Sequence, residues 1–341
     1  MHDTNADHGL KIFSTCPPSA LGRADTYRHQ VEEIARWSEE AGCEGILVYT
    51  DNGQVDAWLA SQVIVGATRR LCPLVAIQSA YMHPYSVAKM ITSLGFLHGR
   101  RVYLNMVAGG FKNDLEALGD RTPHDERYDR LVEYTTIIRE LLQSADPVTF
   151  EGRYYRVYNL KLTPPLPKEL LPGIMISGSS DAGMAAARRL DAIPVEYPKP
   201  PAEYAGVAPV NGASHGIRIG IIARPSESEA WSVAHTRFPV DRKGQLTHQL
   251  AMKVSDSSWH KQLSGLGEAG SGERNPYWLV PFQNYKTFCP YLVGSHAEVA
   301  DMLECYVGAG YRNFILDVPA SPEEMRHIGA VFERVTHCGA A

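Results

Sequence analysis

The chain has 341 residues, 44% of them apolar and 21% charged, a length that suits two average domains or one large α/β barrel. Lys plus Arg number 33 against 38 for Asp plus Glu, and the net charge of -5 excludes the basic footprint of a nucleic-acid binder. No stretch approaches the ~18 consecutive apolar residues of a membrane-spanning helix, and the start, MHDTNADHGLKIF, lacks the basic and apolar regions of a secretory signal.

The first pattern is an amphipathic helix over 25–41, with Val31, Ile34, Ala35 and Trp37 near one face and Gly42 as its stop. Residues 45–49, GILVY, form the continuous apolar run of a strand covered on both faces. Strand and helix then alternate: 71–77 a strand, 84–97 a helix, 102–107 a strand, 125–142 a helix. Residues 148–158 alternate with period two around Glu151 and Gly152, which predicts an inserted hairpin. Strands follow at 174–177, 193–196 and 217–223, with helices at 180–190 and 226–236. The segment 239–292 breaks the rhythm, and its GLGEAGSGER run at 265–274 reads as part of a mobile lid. A helix at 298–307 and a strand at 313–317 end the series. The Gly308-Ala309-Gly310 punctuation between them follows a helix and precedes a strand, so it is a plain loop and not a dinucleotide phosphate turn.

Such alternation implies a parallel sheet of about eight strands. No linker splits it, so residues 1–341 are expected to form a single (β/α)8 TIM barrel with insertions rather than an open doubly wound sheet. Six cysteines without a CxxC pair read as reduced, mostly buried thiols of a cytoplasmic protein. There is no GxSxG elbow, no phosphate-binding P-loop, no HExxH and no His pair at i, i+4, so no metal is expected.

In a barrel the chemistry sits at the carboxyl ends of the strands. Ser177-Gly178-Ser179-Ser180-Asp181 lies where a strand opens a helix; its free N–H groups suit a phosphate, and Ser180 equally suits an ordinary N-cap. Thr122 and Pro123 read as cap and first turn of the next helix start, where His124 and Tyr128 share a face, either to bind a phosphate or, more in keeping with helix ends generally, to seal one. His83, before Pro84, suits a structural role better than a catalytic one on the residues alone.

The runs Gly45 to Thr50, Asp56-Ala57-Trp58, Thr68 to Leu71, His83-Pro84, Gly99 to Gly110, His124 to Tyr128 and Ser177 to Asp181, in this order and spacing, resemble the luciferase-like flavin-dependent monooxygenases, most nearly the alkanesulfonate monooxygenase branch. The resemblance covers nearly the whole chain. It implies a luciferase-like TIM barrel, a helix-packed homodimer, and reduced FMN (FMNH2) supplied by a separate NAD(P)H-dependent flavin reductase. Carried over by position, the phosphate falls to Ser177, Gly178, Ser179 and Ser180 with His124 and Tyr128. The ring system falls to Thr50, Gln78, Asn105 and the backbone of Val107 and Ala108. The Val75–Ala76 bond matches a place where the family has a cis peptide. The implied reaction is oxygenation of an organic substrate through a C4a-peroxyflavin, with a coenzyme F420-dependent hydride-transfer enzyme or a non-catalytic flavin binder as alternatives. Tyr49, Gln54, His83 and Arg224 are the candidates for catalysis, His83 first for steering a proton near neutral pH; Asp51 and Tyr197 join them on the substrate side.

The departures are informative. Gln54 stands where the alkanesulfonate branch has a cysteine, only Arg224 remains of an Arg and His pair, and Pro319 replaces a tyrosine. A buried sulfonate needs fixed cationic donors, so the expected substrate is larger and mainly uncharged. Light emission is not expected, because the luciferase histidine is unmatched near Tyr49 and Thr50.

Overall fold

A computed structural model describes residues 9–109, 112–207, 214–254, 263–265 and 274–338. The strands are β1 (Lys11–Thr15), β2 (Gly45–Val48), β3 (Cys72–Gln78), β4 (Tyr103–Val107), β5 (Val148–Glu151), β6 (Arg156–Leu160), β7 (Gly173–Ser177), β8 (Ile193–Glu196), β9 (His215–Arg224), β10 (Tyr277–Trp278), β11 (Tyr291–Ser295) and β12 (Tyr311–Leu316). The helices are α1 (Tyr27–Glu40), α2 (Ala57–Ala67), α3 (Pro84–His98), α4 (Lys112–Ala117), α5 (His124–Gln143), α6 (Asp181–Arg189), α7 (Glu227–Arg237), α8 (Arg242–Val254), α9 (Val280–Gln283), α10 (His296–Gly308) and α11 (Pro322–Cys338). The chain divides into two compact units, Cys16–Glu39 with Glu44–Pro194, and Met1–Thr15 with Glu40–Cys43 and Val195–Ala341.

In the first of these units β2, β3, β4 and β7 pair in that order, all parallel. Every residue of β3, CPLVAIQ, is buried, as the apolar run requires of a strand covered on both faces. Asp56 caps α2 by accepting from the Trp58 and Leu59 N–H groups, and Gly99, at φ 59°, ends α3 in the left-handed conformation that glycine adopts without strain. The expected hairpin is β5 paired antiparallel with β6. Its turn is fastened by the Glu133 carboxylate, which accepts the Arg153 and Tyr154 N–H groups at 2.9 and 2.8 Å. The cis bond implied at Val75–Ala76 is absent. Leu74 to Gln78 stay in unbroken register with Tyr103 to Val107, and the cis bond among the described residues is Thr163–Pro164.

In the second unit β8, β9, β12 and β1 pair in order, again all parallel. The outer half of β9 also carries β11, which holds β10 antiparallel. An aromatic cluster of Trp231, Phe238, Trp278 and Tyr291 is buried between α7 and these strands. Within 239–292 the chain forms α8, and most of the expected lid run 265–274 lies outside the described residues. Nine strands among the described residues have a parallel neighbour; eight of them, alternating with helices, follow the (β/α)8 plan, and β11 is an addition on β9. No helix among the described residues is long and apolar enough to cross a membrane. Among the described residues five cysteines are free thiols, four of them buried, and burial pushes Cys16 and Cys43 up to about 12, so they act as small apolar residues.

Candidate functional site

The register of the first unit's strands lines up the expected site residues. Gln78, Val107 and Ser177 are direct neighbours across β3, β4 and β7, at the carboxyl ends of all three. Two residues earlier Ala76, Asn105 and Met175 form a second row, and residues two apart on a strand share a face. The Ser177 hydroxyl donates to the Asn105 carboxamide oxygen at 2.8 Å, tying the two rows together. Asn105 and Gln78 are 5% and 8% exposed, so both amides are held by their surroundings rather than by water. Gln78 donates through Nε2 to the Tyr81 hydroxyl, which donates to Asn52, which donates to the Asp114 carbonyl. Burial, with Asp114 and Asp51 nearby, pushes the Tyr81 phenol up to about 12, so it stays a neutral donor. Gly109, at φ 94°, lets the chain turn beside the Gln78 carboxamide after β4.

Beyond β7 the chain turns into α6. Ser180 is its N-cap and accepts the Gly183 N–H at 3.2 Å, so the capping role is real. That bond uses one lone pair and leaves the preceding N–H groups of the turn. The Tyr128 hydroxyl, which also bonds Ser180, presses on Gly178 so closely that a β-carbon there would collide with it. Tyr128 is 7% exposed, and burial raises its phenol further above the usual range. His124 meets it edge to face at 5.3 Å, while His124 Nδ1 lies 2.7 Å from Asp125 Oδ1. The expected Thr122 cap is corrected: Pro123 holds the N-cap position of α5, and the Thr122 hydroxyl is drawn instead to Asp120 at 2.6 Å, a stronger charged acceptor.

Several expected residues carry structural bonds. The Gln54 oxygen accepts from the Ser19 N–H, the Ser19 hydroxyl and the Ala20 N–H at 2.7, 3.0 and 3.3 Å, which commits it to joining two loops. His83 caps α3, its Nδ1 accepting from the Tyr85 N–H at 3.2 Å, and its ring is exposed. Thr50 and Tyr49 are half-buried just past the end of β2. Arg224 lies in the second unit, as does Tyr197, whose hydroxyl accepts from Arg218 at 3.5 Å.

Charged residues on the inner face of α5 were missed from sequence. Arg127, 2% exposed, donates to the Gly109 carbonyl at 3.1 Å, and Arg130 reaches Ser79, Thr122 and Asp120. The signal was available: both arginines share the apolar face that carries Leu131 and Tyr134, where an unpaired cation would be costly.

A family model described as luciferase-like monooxygenase matches residues 10–313. The chain belongs to the luciferase-like monooxygenase family. This luciferase-like flavin-dependent monooxygenase is 35% identical over 311 residues to the 4-(gamma-L-glutamylamino)butanoyl-[BtrI acyl-carrier protein] monooxygenase BtrO of Niallia circulans, a match spanning 89% of this chain and 91% of that one. Its TIM-barrel fold matches that of the EDTA monooxygenase EmoA from Chelativorans sp. BNC1, with TM-score 0.70 and 15% identity over 97% of this chain and 94% of that one. It also matches the oxygenating constituent of 3,6-diketocamphane monooxygenase of Pseudomonas putida, solved with FMN, with TM-score 0.70 and 16% identity over 96% and 98% of the two chains.

Proposed function

We propose that the protein is the oxygenase of a two-component system, taking reduced FMN from a separate NAD(P)H-dependent flavin reductase and using O2 to oxidise a mainly uncharged acyl group carried on an acyl-carrier protein. The observation that carries the cofactor reading is the alignment of Gln78, Val107 and Ser177, with Asn105 beneath, beside the start of α6. The residues fit the group. Uncharged amides and hydroxyls suit a heteroaromatic ring, and a strand-to-helix turn with free N–H groups suits a phosphate. The carrier-bound substrate is supported by the 35% identical relative, whose own substrate is carried in that way.

When bound, reduced flavin supplies the oxygen-activating chemistry. Ser177, Gly178, Ser179 and Ser180 would hold its phosphate through the turn, with Tyr128 and His124 behind. Asn105 and Gln78 would orient the ring, with Thr50 and the Val107 and Ala108 backbone alongside. Tyr49 is the candidate on the substrate side. Gln54 and His83 act through the loop and helix they fasten. The chain's main task is exclusion of water and fixed orientation at this end of the strands. Exposed Leu59, Met90, Phe96 and Leu97 on the neighbouring helices α2 and α3 support a homodimer packed through them.

The test is oxygen uptake with FMNH2 and, separately, with reduced F420. Uptake with FMNH2 that weakens in Ser179→Asp, where a carboxylate would meet the phosphate, is the expected result. Hydride transfer with F420 and no oxygen uptake with either cofactor would overturn the reading.

A further inference from the structure

A cavity of about 270 Å³ opens in the second unit, at the carboxyl ends of β9 and β12. Its size, below the roughly 300 Å³ of the smallest drug-sized sites, suits one chemical group rather than a whole ligand. Arg224, the last residue of β9, lines it while only 7% exposed. One of its terminal nitrogens donates to the Ala223 carbonyl at 2.7 Å, and it makes no ion pair among the described residues. Arg237 lines the cavity too, but is already committed: it pairs with Glu324 and donates to the Val318 carbonyl at 2.7 Å. Glu324, 3% exposed, also accepts the Ala320 N–H at 2.6 Å. Glu324 pairs with Arg237, and Asp317 also acts on Arg237, so the charges around the two guanidinium groups balance, but Arg224 itself has no carboxylate within ion-pair distance among the described residues. A largely buried guanidinium with N–H donors to spare favours an incoming oxyanion, which it can hold through charge-assisted bonds. Ser232, Thr236 and Ser321 line the same cavity; the Thr236 hydroxyl donates to the Ser232 carbonyl at 2.8 Å, so Ser232 and Ser321 supply the hydroxyl donors, while exposed Ser232 and Thr236 keep its mouth open to solvent.

We propose that this cavity is a phosphate subsite, in which a singly charged phosphate ester seats against Arg224 with Arg237 and the Ser232 and Ser321 hydroxyls around it. Its place agrees with barrel chemistry in general, since the loops after the seventh and eighth strands often hold a phosphate. β9 and β12 are the seventh and eighth of the parallel barrel strands in chain order. The phosphate has two sources. One is the 4′-phosphopantetheine arm of a carrier protein, an assignment that rests on the carrier-bound substrate proposed above. The other is a small phosphorylated molecule.

The experiment is calorimetric titration of the full chain with inorganic phosphate and with 4′-phosphopantetheine, for the wild type, Arg224→Gln and Thr236→Glu. Thr236 is exposed on α7, so its substitution leaves the fold intact even if loss of the buried arginine does not. Binding of either probe by the wild type, at least tenfold weaker in Thr236→Glu and in any folded Arg224→Gln, is the expected result. Phosphopantetheine bound at least tenfold more tightly than phosphate assigns the source to the carrier arm. Equal binding keeps the subsite and removes the carrier from it. No binding of either probe by the wild type, or binding untouched by Thr236→Glu, overturns the proposal.

Discussion

Gly178 shows how a single position can serve a candidate site by having no side chain. Its backbone, at φ 153°, lies against the Tyr128 hydroxyl, and a β-carbon would meet that oxygen first and the ring carbon bearing it at 3.3 Å. Gly178→Ala must move a buried tyrosine, and overpacking of this kind costs roughly 1–3 kcal/mol. In a Tyr128→Phe background the oxygen is gone and the remaining contact is tight but tolerable. The alanine should then cost less, though part of the backbone penalty persists. Denaturant unfolding of the two single variants and the double variant measures this coupling; strictly additive costs would mean that the hydroxyl is not what excludes a side chain there.

At the scale of the element, α5 is fastened by Arg130, which reaches Ser79 after β3 and both Thr122 and Asp120 before the helix begins. Arg130 and Asp120 are 13% and 11% exposed. Burial by itself would raise the Asp120 carboxyl, but hydrogen bonds from Arg130 and Thr122 outweigh it and hold it at about 2. A folded pKa below the ordinary carboxylate value means that the contribution is fully present above about pH 4 and is lost as pH falls towards 2. Unfolding free energies measured across this window should fall more steeply for the wild type than for Asp120→Asn. The difference should be on the order of 1 kcal/mol, given partial solvent screening. Parallel profiles would assign the helix anchor elsewhere.

For the molecule as a whole, the apolar face of α2 and α3 is the feature most in need of a partner. Phe96, Leu97 and Leu59 are 73%, 67% and 66% exposed, and covering such side chains contributes about 1.5–3 kcal/mol each. A second copy of the chain would cover both faces at once, because a two-fold interface uses the same patch twice. Phe96→Asp should shift sedimentation from dimer towards monomer while leaving the circular dichroism spectrum unchanged. A wild type that sediments as a monomer at micromolar concentration would leave the face to another partner.

Local pattern was enough to place most strands and helices within a few residues, because hydrophobic period reports burial directly along the chain. The same pattern located the strand ends, and with them Gln78, Asn105, Val107 and Ser177, which the register then brought side by side. It left out α2, α4, α11 and β11, although Asp56 and the Ser321-Pro322 pair followed by Glu324 mark two of those starts. What pattern could not reach are pairs distant in the chain. Gln54 meets Ser19, Arg237 meets Glu324, and Arg130 meets Ser79, at separations of 35, 87 and 51 residues. No periodicity encodes such meetings. Whether a glutamine fastens a loop or faces a substrate, and whether an arginine is paired with a carboxylate or left with donors beside a cavity, is decided by which groups the fold brings within hydrogen-bond reach. The sequence by itself therefore determined the barrel plan and the end of the strands where the candidate site lies, and only the tertiary structure decided which polar side chains are already bonded and which keep groups to offer.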